Sequence, residues 1–274
     1  MKLKIIAYNI LTGLCDWSFY SKEIPILNKN RIELAKKIIK IENPDILCLT
    51  EGLFGMKNYT GVYIDYQKLF NYPYIDIRFS NILLSKYPII YSEEIKKNGG
   101  SGLISQIKIK NKTISLNIIH HRPSVSVSEK KRLEFVKALF EKVNNPSIIL
   151  GDLNSLSSSD NYIKNFQYNF KNKVLMSSHK VNKKTTNKIM KDMLTGKVVK
   201  YIESKSLVDT FKIKNKAFDF TIPTDYTSKD KSTGIRIDYI FTHPKIRVLD
   251  AGIIKNKLTE QASDHYPIYA ILDV

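Results

Sequence analysis

Ile148-Ile149-Leu150 is a short aliphatic run that ends at once in Gly151-Asp152-Leu153-Asn154. Such a run reads as a buried strand. Gly151 permits a tight exit, and the polar side chains of Asp152 and Asn154 follow at the strand's C-terminal end. In layered folds ligands gather at that end, because the loops there can converge. Taken alone, Ser147–Asn154 is equally an ordinary strand and turn, since Gly, Asp and Asn are common turn formers. The arrangement recurs, however. Leu3–Tyr8 runs into Asn9, Asp45–Thr50 into Glu51, and Lys112–Ile119 into His120-His121. With the loop that leads to Asp264-His265, the polar strand ends are too many to be isolated turns.

The rest of the chain supplies the layers that such strands need. Ile32, Leu34, Ala35, Ile38, Ile39 and Ile41 lie among charges and predict an amphipathic helix over 30–42, stopped by Asn43-Pro44. Residues 52–80 read as mostly loop with one short helix. Asn81–Ser85 and Pro88–Tyr91 read as strands, and Ser101–Lys110 with Lys112–His120 as a hairpin around Asn111. A helix is expected over Ser128–Val143, capped by Ser126 or Ser128. Helical patches follow near Lys188–Leu194 and Lys197–Glu203, then strands over Arg236–Thr242 and Tyr266–Leu272. This order points to sheets packed on each other with helices outside. Its polar strand ends run from residue 9 to residue 265, so 1–274 reads as one domain.

Charge narrows the partners. Lys+Arg 44 against Asp+Glu 26 gives +18, which favours polyanions: nucleic acid, phosphorylated ligands or an anionic surface. The competing explanation is a compositional bias toward Lys, Ile and Asn. Cys15 and Cys48 imply neither a disulfide framework nor a cysteine metal site, which fits a reducing, intracellular setting. The apolar run Leu3–Tyr8 is too short for a secretory signal, and no run reaches the roughly 18 residues of a membrane span. A soluble, monomeric protein is expected.

Glu51, Asp152 and Asp264 supply carboxylates, and Asn9 and Asn154 supply amide oxygens. Hard oxygen donors favour Mg²⁺ or Mn²⁺ over structural zinc. Mg²⁺ takes only one or two protein carboxylates beside water and substrate phosphate, and Glu51 is the first candidate. Asp238 sits in the otherwise apolar run Ile237–Ile240, where a carboxylate is costly unless paired. Pairing with His265 would meet that cost and fix the imidazole tautomer. The bland alternatives are a strand-edge charge and a structural histidine.

Together these motifs resemble the endonuclease/exonuclease/phosphatase superfamily, the deoxyribonuclease I-like phosphodiesterases. Tyr8-Asn9, Pro44–Glu51, Asn81–Ile89, Ile119–Pro123, Gly151–Asn154, Leu207–Phe211, Arg236–Ile240 and Ser263–Pro267 are similar to the family's motifs in order and spacing. The resemblance implies a four-layer α/β/β/α sandwich, two mixed β-sheets face to face with helices outside. It implies that Glu51 binds the cation, with Asn9 and Asp264 completing or orienting its shell. His265 with Asp238 would act on water or the scissile phosphate. Asp152 and Asn154 would position the nucleophile and a phosphate oxygen, and His120 would bind or protonate the phosphate. His121 and Arg122 are further phosphate-binding candidates, with His120 favoured over His121 by the spacing to Pro123.

Thr50 departs from the Gln that commonly precedes the metal-binding Glu, and Leu11 from the acid found in some base-excision members. The expected activity is Mg²⁺-dependent hydrolysis of phosphate esters in nucleic acid, by a DNA endonuclease, exonuclease or repair end-processing enzyme. Segments 59–74 (Tyr-rich) and 164–216 (Lys-rich) would flank the site. The alternatives are a small-molecule, inositol phosphate or phospholipid phosphoesterase and, more remotely, a non-catalytic binding protein.

Overall fold

A computed structural model of the protein describes residues 1–16, 26–52, 64–97, 99–143, 147–177 and 182–274. Its strands, in chain order, are β1 (Lys2–Asn9), β2 (Cys15–Asp16), β3 (Ile26–Leu27), β4 (Ile46–Thr50), β5 (Tyr74–Arg78), β6 (Asn81–Ser85) and β7 (Ile89–Lys97). They continue as β8 (Gly100–Ile109), β9 (Lys112–His121), β10 (Ile148–Asp152), β11 (Val208–Asp209), β12 (Asp238–Thr242), β13 (Arg247–Ile253) and β14 (Ile268–Asp273). One mixed sheet has the order β13-β14-β1-β4-β6-β5, and the other β11-β12-β10-β9-β8-β7. At the middle of each lies a parallel pair, β1 with β4 and β9 with β10, flanked by antiparallel neighbours.

Strand alternation sorts the apolar residues into layers. Leu3, Ile5, Ala7, Ile46, Cys48, Leu83, Leu103, Leu116, Ile118, Ile148, Leu150 and Ile240 form the core between the sheets. The opposite parity of the first sheet, including Ile6, Tyr8, Leu47 and Leu49, packs on Ala35, Ile38 and Ile39 of the helix Lys29–Glu42. Asn28 caps that helix by accepting from the Arg31 amide at 2.9 Å, and left-handed Asn43 ends it. Ile119, Ile149, Tyr239 and Phe241 of the second sheet pack on Phe135, Val136 and Leu139 of the helix Glu129–Lys142. They also meet Val198, Val199 and Ile202 of the helix Lys197–Ser204. The architecture is therefore helix, sheet, sheet, helix, as the sequence implies.

Several elements differ from expectation. β5 lies within the stretch read as mostly loop, β13 was not expected, and a helix occupies Phe166–Ser177. β7 extends to Lys97, and the helix expected near Lys188 starts at Lys183. Val208-Asp209 is a two-residue strand that turns at once into the helix Thr210–Lys214, with Asp209 accepting from the Phe211 amide at 3.0 Å. The part of the Tyr-rich stretch over 59–63 lies outside the described residues. Tyr66 and Tyr72, within that stretch, are core residues beneath the first sheet's helices and offer no stacking face.

Candidate active site

Each inward-facing apolar row, followed one step further along its strand, ends in a polar side chain. Leu3-Ile5-Ala7 leads to Asn9, Ile46-Cys48 to Thr50, Leu116-Ile118 to His120, Ile148-Leu150 to Asp152, and Ile240 back to Asp238. Asp152 is paired in register with both His120 and Asp238, and Asn9 with Thr50. The site is therefore the mouth of the inter-sheet core, where both parallel pairs end together. Gly151 lets β10 pass close to β9: its φ is +123°, and a Cβ there would lie 2.2 Å from the Ile119 carbonyl oxygen.

Glu51, just past β4, has a left-handed φ of 63° and turns its carboxylate into this mouth. Its Oε1 accepts from Asn9 Nδ2 at 3.0 Å and its Oε2 from the Thr12 amide at 3.1 Å. His120 Nε2 lies 3.6 Å from Glu51 Oε1 and 4.0 Å from Asp152 Oδ2. Burial works against the Glu51 charge, but His120 and Asn9 outweigh it and hold the carboxyl at a pKa of about 2. Burial likewise opposes protonation of His120, and Glu51 and Asp152 overcome it to raise that pKa.

Asp152, at 1% exposure, accepts from Asn9 Nδ2 at 3.1 Å, from the Asn154 amide at 2.8 Å and from Asn154 Nδ2 at 2.9 Å. Burial, then the neighbouring Asp238 charge, push its pKa up to about 7. His265 Nδ1 sits 2.8 Å from Asp238 Oδ2, both residues buried. Burial disfavours the imidazolium, but Asp238, Asp264 and Asp152 outweigh it and raise the His265 pKa well above its ordinary value. Asp264 is raised first by burial and further by Glu51, with His265 opposing.

The donor set fits a hard divalent cation. Carboxylate and imidazole atoms of Glu51, His120 and Asp152 lie within 4.8 Å of one another, as do those of Asp152, Asp238 and His265. Crowded carboxylates that resist ionisation together are stabilised by a positive ion between them. Asn9 meets this set through its amide nitrogen. Its Oδ1 accepts from the Leu11 amide at 3.0 Å, so nitrogen, not oxygen, faces the two carboxylates. In this geometry Asn9 orients Glu51 and Asp152.

His121 corrects the sequence expectation more sharply. As the next residue along β9 it points to the opposite face, fully buried, with its ring edge-on to Phe135 at 5.1 Å. Its Nδ1 donates to the Leu153 carbonyl at 2.9 Å, and burial lowers its pKa to about 3. It cannot reach a phosphate in the mouth. Arg122 is exposed just beyond, its carbonyl held by Arg132 at 3.2 Å.

Two supporting residues escaped the sequence reading. Arg31, 1% exposed, donates to the carbonyls of Ala262, Cys15, Ile10 and Leu11 at 2.8–3.0 Å. It ties the loop after Asn9 to the segment before Asp264. Its helical spacing to Ala35 and Ile38 places it on the buried face, a signal available in the sequence. Ser263 Oγ donates to the Asn9 carbonyl at 2.7 Å and joins the same two loops.

Known proteins agree with this geometry at the level of fold. The human Nocturnin catalytic domain with bound sulfate anion superposes with a TM-score of 0.59 at 12% identity, covering 99% of this chain and 94% of that one. A humanized D. rerio TDP2 gives 0.58 at 17%, covering 100% and 99%. The mannosyl-6-phosphatase Bt3783 of Bacteroides thetaiotaomicron VPI-5482 gives 0.61 at 14%, covering 99% and 100%. Among curated proteins no sequence matches this chain. The model of the Endonuclease/Exonuclease/phosphatase family, however, matches residues 6–265, first strand to His265, and the chain belongs to that family.

Proposed function

We propose that the protein is a divalent-cation-dependent phosphodiesterase acting on nucleic acid. The observation that carries this reading is the meeting of Glu51, Asp152 and the His265–Asp238 pair in one buried mouth. Glu51, with Asp264 as a further carboxylate, would hold Mg²⁺ or Mn²⁺, which when bound would supply charge neutralisation at the phosphate and the leaving oxygen. Asp238 fixes the His265 ring through Nδ1 and leaves Nε2 for water or a phosphate oxygen. Asn154 and Asn9 hold the Asp152 carboxylate in place to orient an attacking water. His120, whose protonation Glu51 and Asp152 favour, meets negative charge on the phosphate.

The +18 charge supports a polyanionic substrate over a small one. A phosphomonoester of a small molecule is the second reading, favoured by the likeness to a mannosyl-6-phosphatase. Incubation with labelled single- and double-stranded DNA, RNA, a sugar phosphate and inositol phosphates, with Mg²⁺ or EDTA, separates them. Mg²⁺-dependent cleavage of a polynucleotide is expected. Turnover of the small phosphates alone would replace this reading with the second.

A further inference from the structure

The outer face of the second sheet carries a surface unlike the opposite one. The helices Glu129–Lys142 and Lys197–Ser204 pack on it, and Lys183–Met193 joins them at its C-terminal end. Asp192 accepts from the Glu129 amide at 2.7 Å, and Glu129 accepts from the Val198 amide at 3.1 Å, so all three helices meet around Glu129. Exposed lysines cover each of them, including Lys131 and Lys137, Lys184 and Lys188, and Lys197 and Lys200. Their acids do not balance this charge. Glu129 is buried against Arg132, Asp192 serves as a cap, and Glu203 turns to Lys212 at 3.8 Å, which leaves half-exposed Glu134 and exposed Glu141 against the lysines. Lys137 and Lys205 converge on the same Tyr201 ring, at 5.7 and 5.2 Å.

Like charges held this close repel one another, and a polyanion relieves the repulsion. The large exposed apolar side chains of the described residues, such as Ile41, Ile90 and Tyr168, all lie elsewhere. A layer that inserts into a membrane needs such anchors on its own face, so the charge alone is left to select the partner, and a polynucleotide backbone matches it. The exposed cations of these helices are lysines, while Arg132 is buried. Lysine contacts phosphate as a point charge and lacks the planar fork that reads a guanine edge. On the first sheet's helix, by contrast, Lys36 is paired with Glu33 at 3.1 Å, and exposed Ile41 interrupts the charge.

We propose that this lysine layer is a second docking surface, separate from the catalytic mouth, for the phosphate backbone of a polynucleotide. It binds without sequence preference and keeps a long substrate on the enzyme while one phosphate occupies the mouth. It rests on the nucleic-acid reading above for the choice of polymer only.

The test is fluorescence anisotropy with a mixed-sequence DNA of about 30 nucleotides, single-stranded and duplex, over a range of salt. The variants are the triple Lys137→Glu/Lys200→Glu/Lys205→Glu, its charge-preserving Arg counterpart, and Lys36→Glu/Lys37→Glu/Lys40→Glu on the opposite layer. The first triple is expected to raise Kd about tenfold or more and to flatten the salt slope by about 2 to 3. The other two should stay near wild type, and turnover of a small phosphodiester should be unchanged in all of them. Wild-type-like binding by the first triple, equal loss in the opposite-layer triple, or wild-type binding without salt dependence would each overturn the proposal. Salt-dependent binding with no cleavage of the DNA leaves the docking surface standing and removes only the nuclease reading of the mouth.

Discussion

Asp238 and His265 lie 27 residues apart in sequence and 2.8 Å apart at their polar atoms. Asp238→Asn keeps the shape but offers an amide in place of the carboxylate, so the ring loses its fixed tautomer. Hydrolysis by that variant should fall by a factor on the order of a hundred or more, with substrate affinity little changed. Steady-state kinetics decides it, and an unaltered kcat refutes the pairing's role. His121 makes a different prediction. Burial lowers its pKa to about 3, against about 6.5 in an unfolded chain. Below about pH 6.5 the unfolded chain takes up a proton that the native state refuses, so stability falls with pH until about 3. Between pH 6.5 and 5.0 this costs about 2 kcal/mol. Urea unfolding at pH 7 and pH 5 should show that loss in the wild type and a smaller one in His121→Gln. Equal losses would mean that the ring is protonated when folded.

At the scale of elements, the buried Arg31 holds two loops through four carbonyls. Arg31→Met fills much of the same space but leaves those acceptors without a donor, at a cost on the order of 3 kcal/mol or more. Thermal or urea denaturation checks this. Since the loops carry Asn9 and Asp264, Mn²⁺ affinity should weaken as well, even where the variant stays folded. The same elements show what a sequence makes legible. Asn9, Glu51, His120 and Asp152 stood out because an apolar strand ending in a polar residue is a local pattern. The choice of His120 over His121 rested on the spacing to Pro123, and the inward parity of Leu116 and Ile118 gives its physical reason. β5 and β13 were hidden because each is an edge strand with mixed, half-exposed residues. The helix Phe166–Ser177 has only a weak amphipathic period, so the sequence carries little signal for it. The orientation of the Asn9 amide depends on Leu11, Glu51 and Asp152 together, and no local pattern encodes that.

Across the whole molecule, two sheets bring residues from both ends of the chain to one opening. Asn9, at the end of the first strand, and His265, before the last, are neighbours of the same Asp152. The central claim is that this opening binds a divalent cation through Glu51. The most direct measurement is a Mn²⁺ titration of the wild type and of Glu51→Gln, followed by electron paramagnetic resonance of the free ion. Glu51→Gln retains the size of the side chain and one acceptor oxygen but removes the charge. The account predicts Mn²⁺ bound at the site in the wild type and affinity lowered about a hundredfold or more in the variant. Binding of equal strength in both proteins, or none in the wild type, would contradict it.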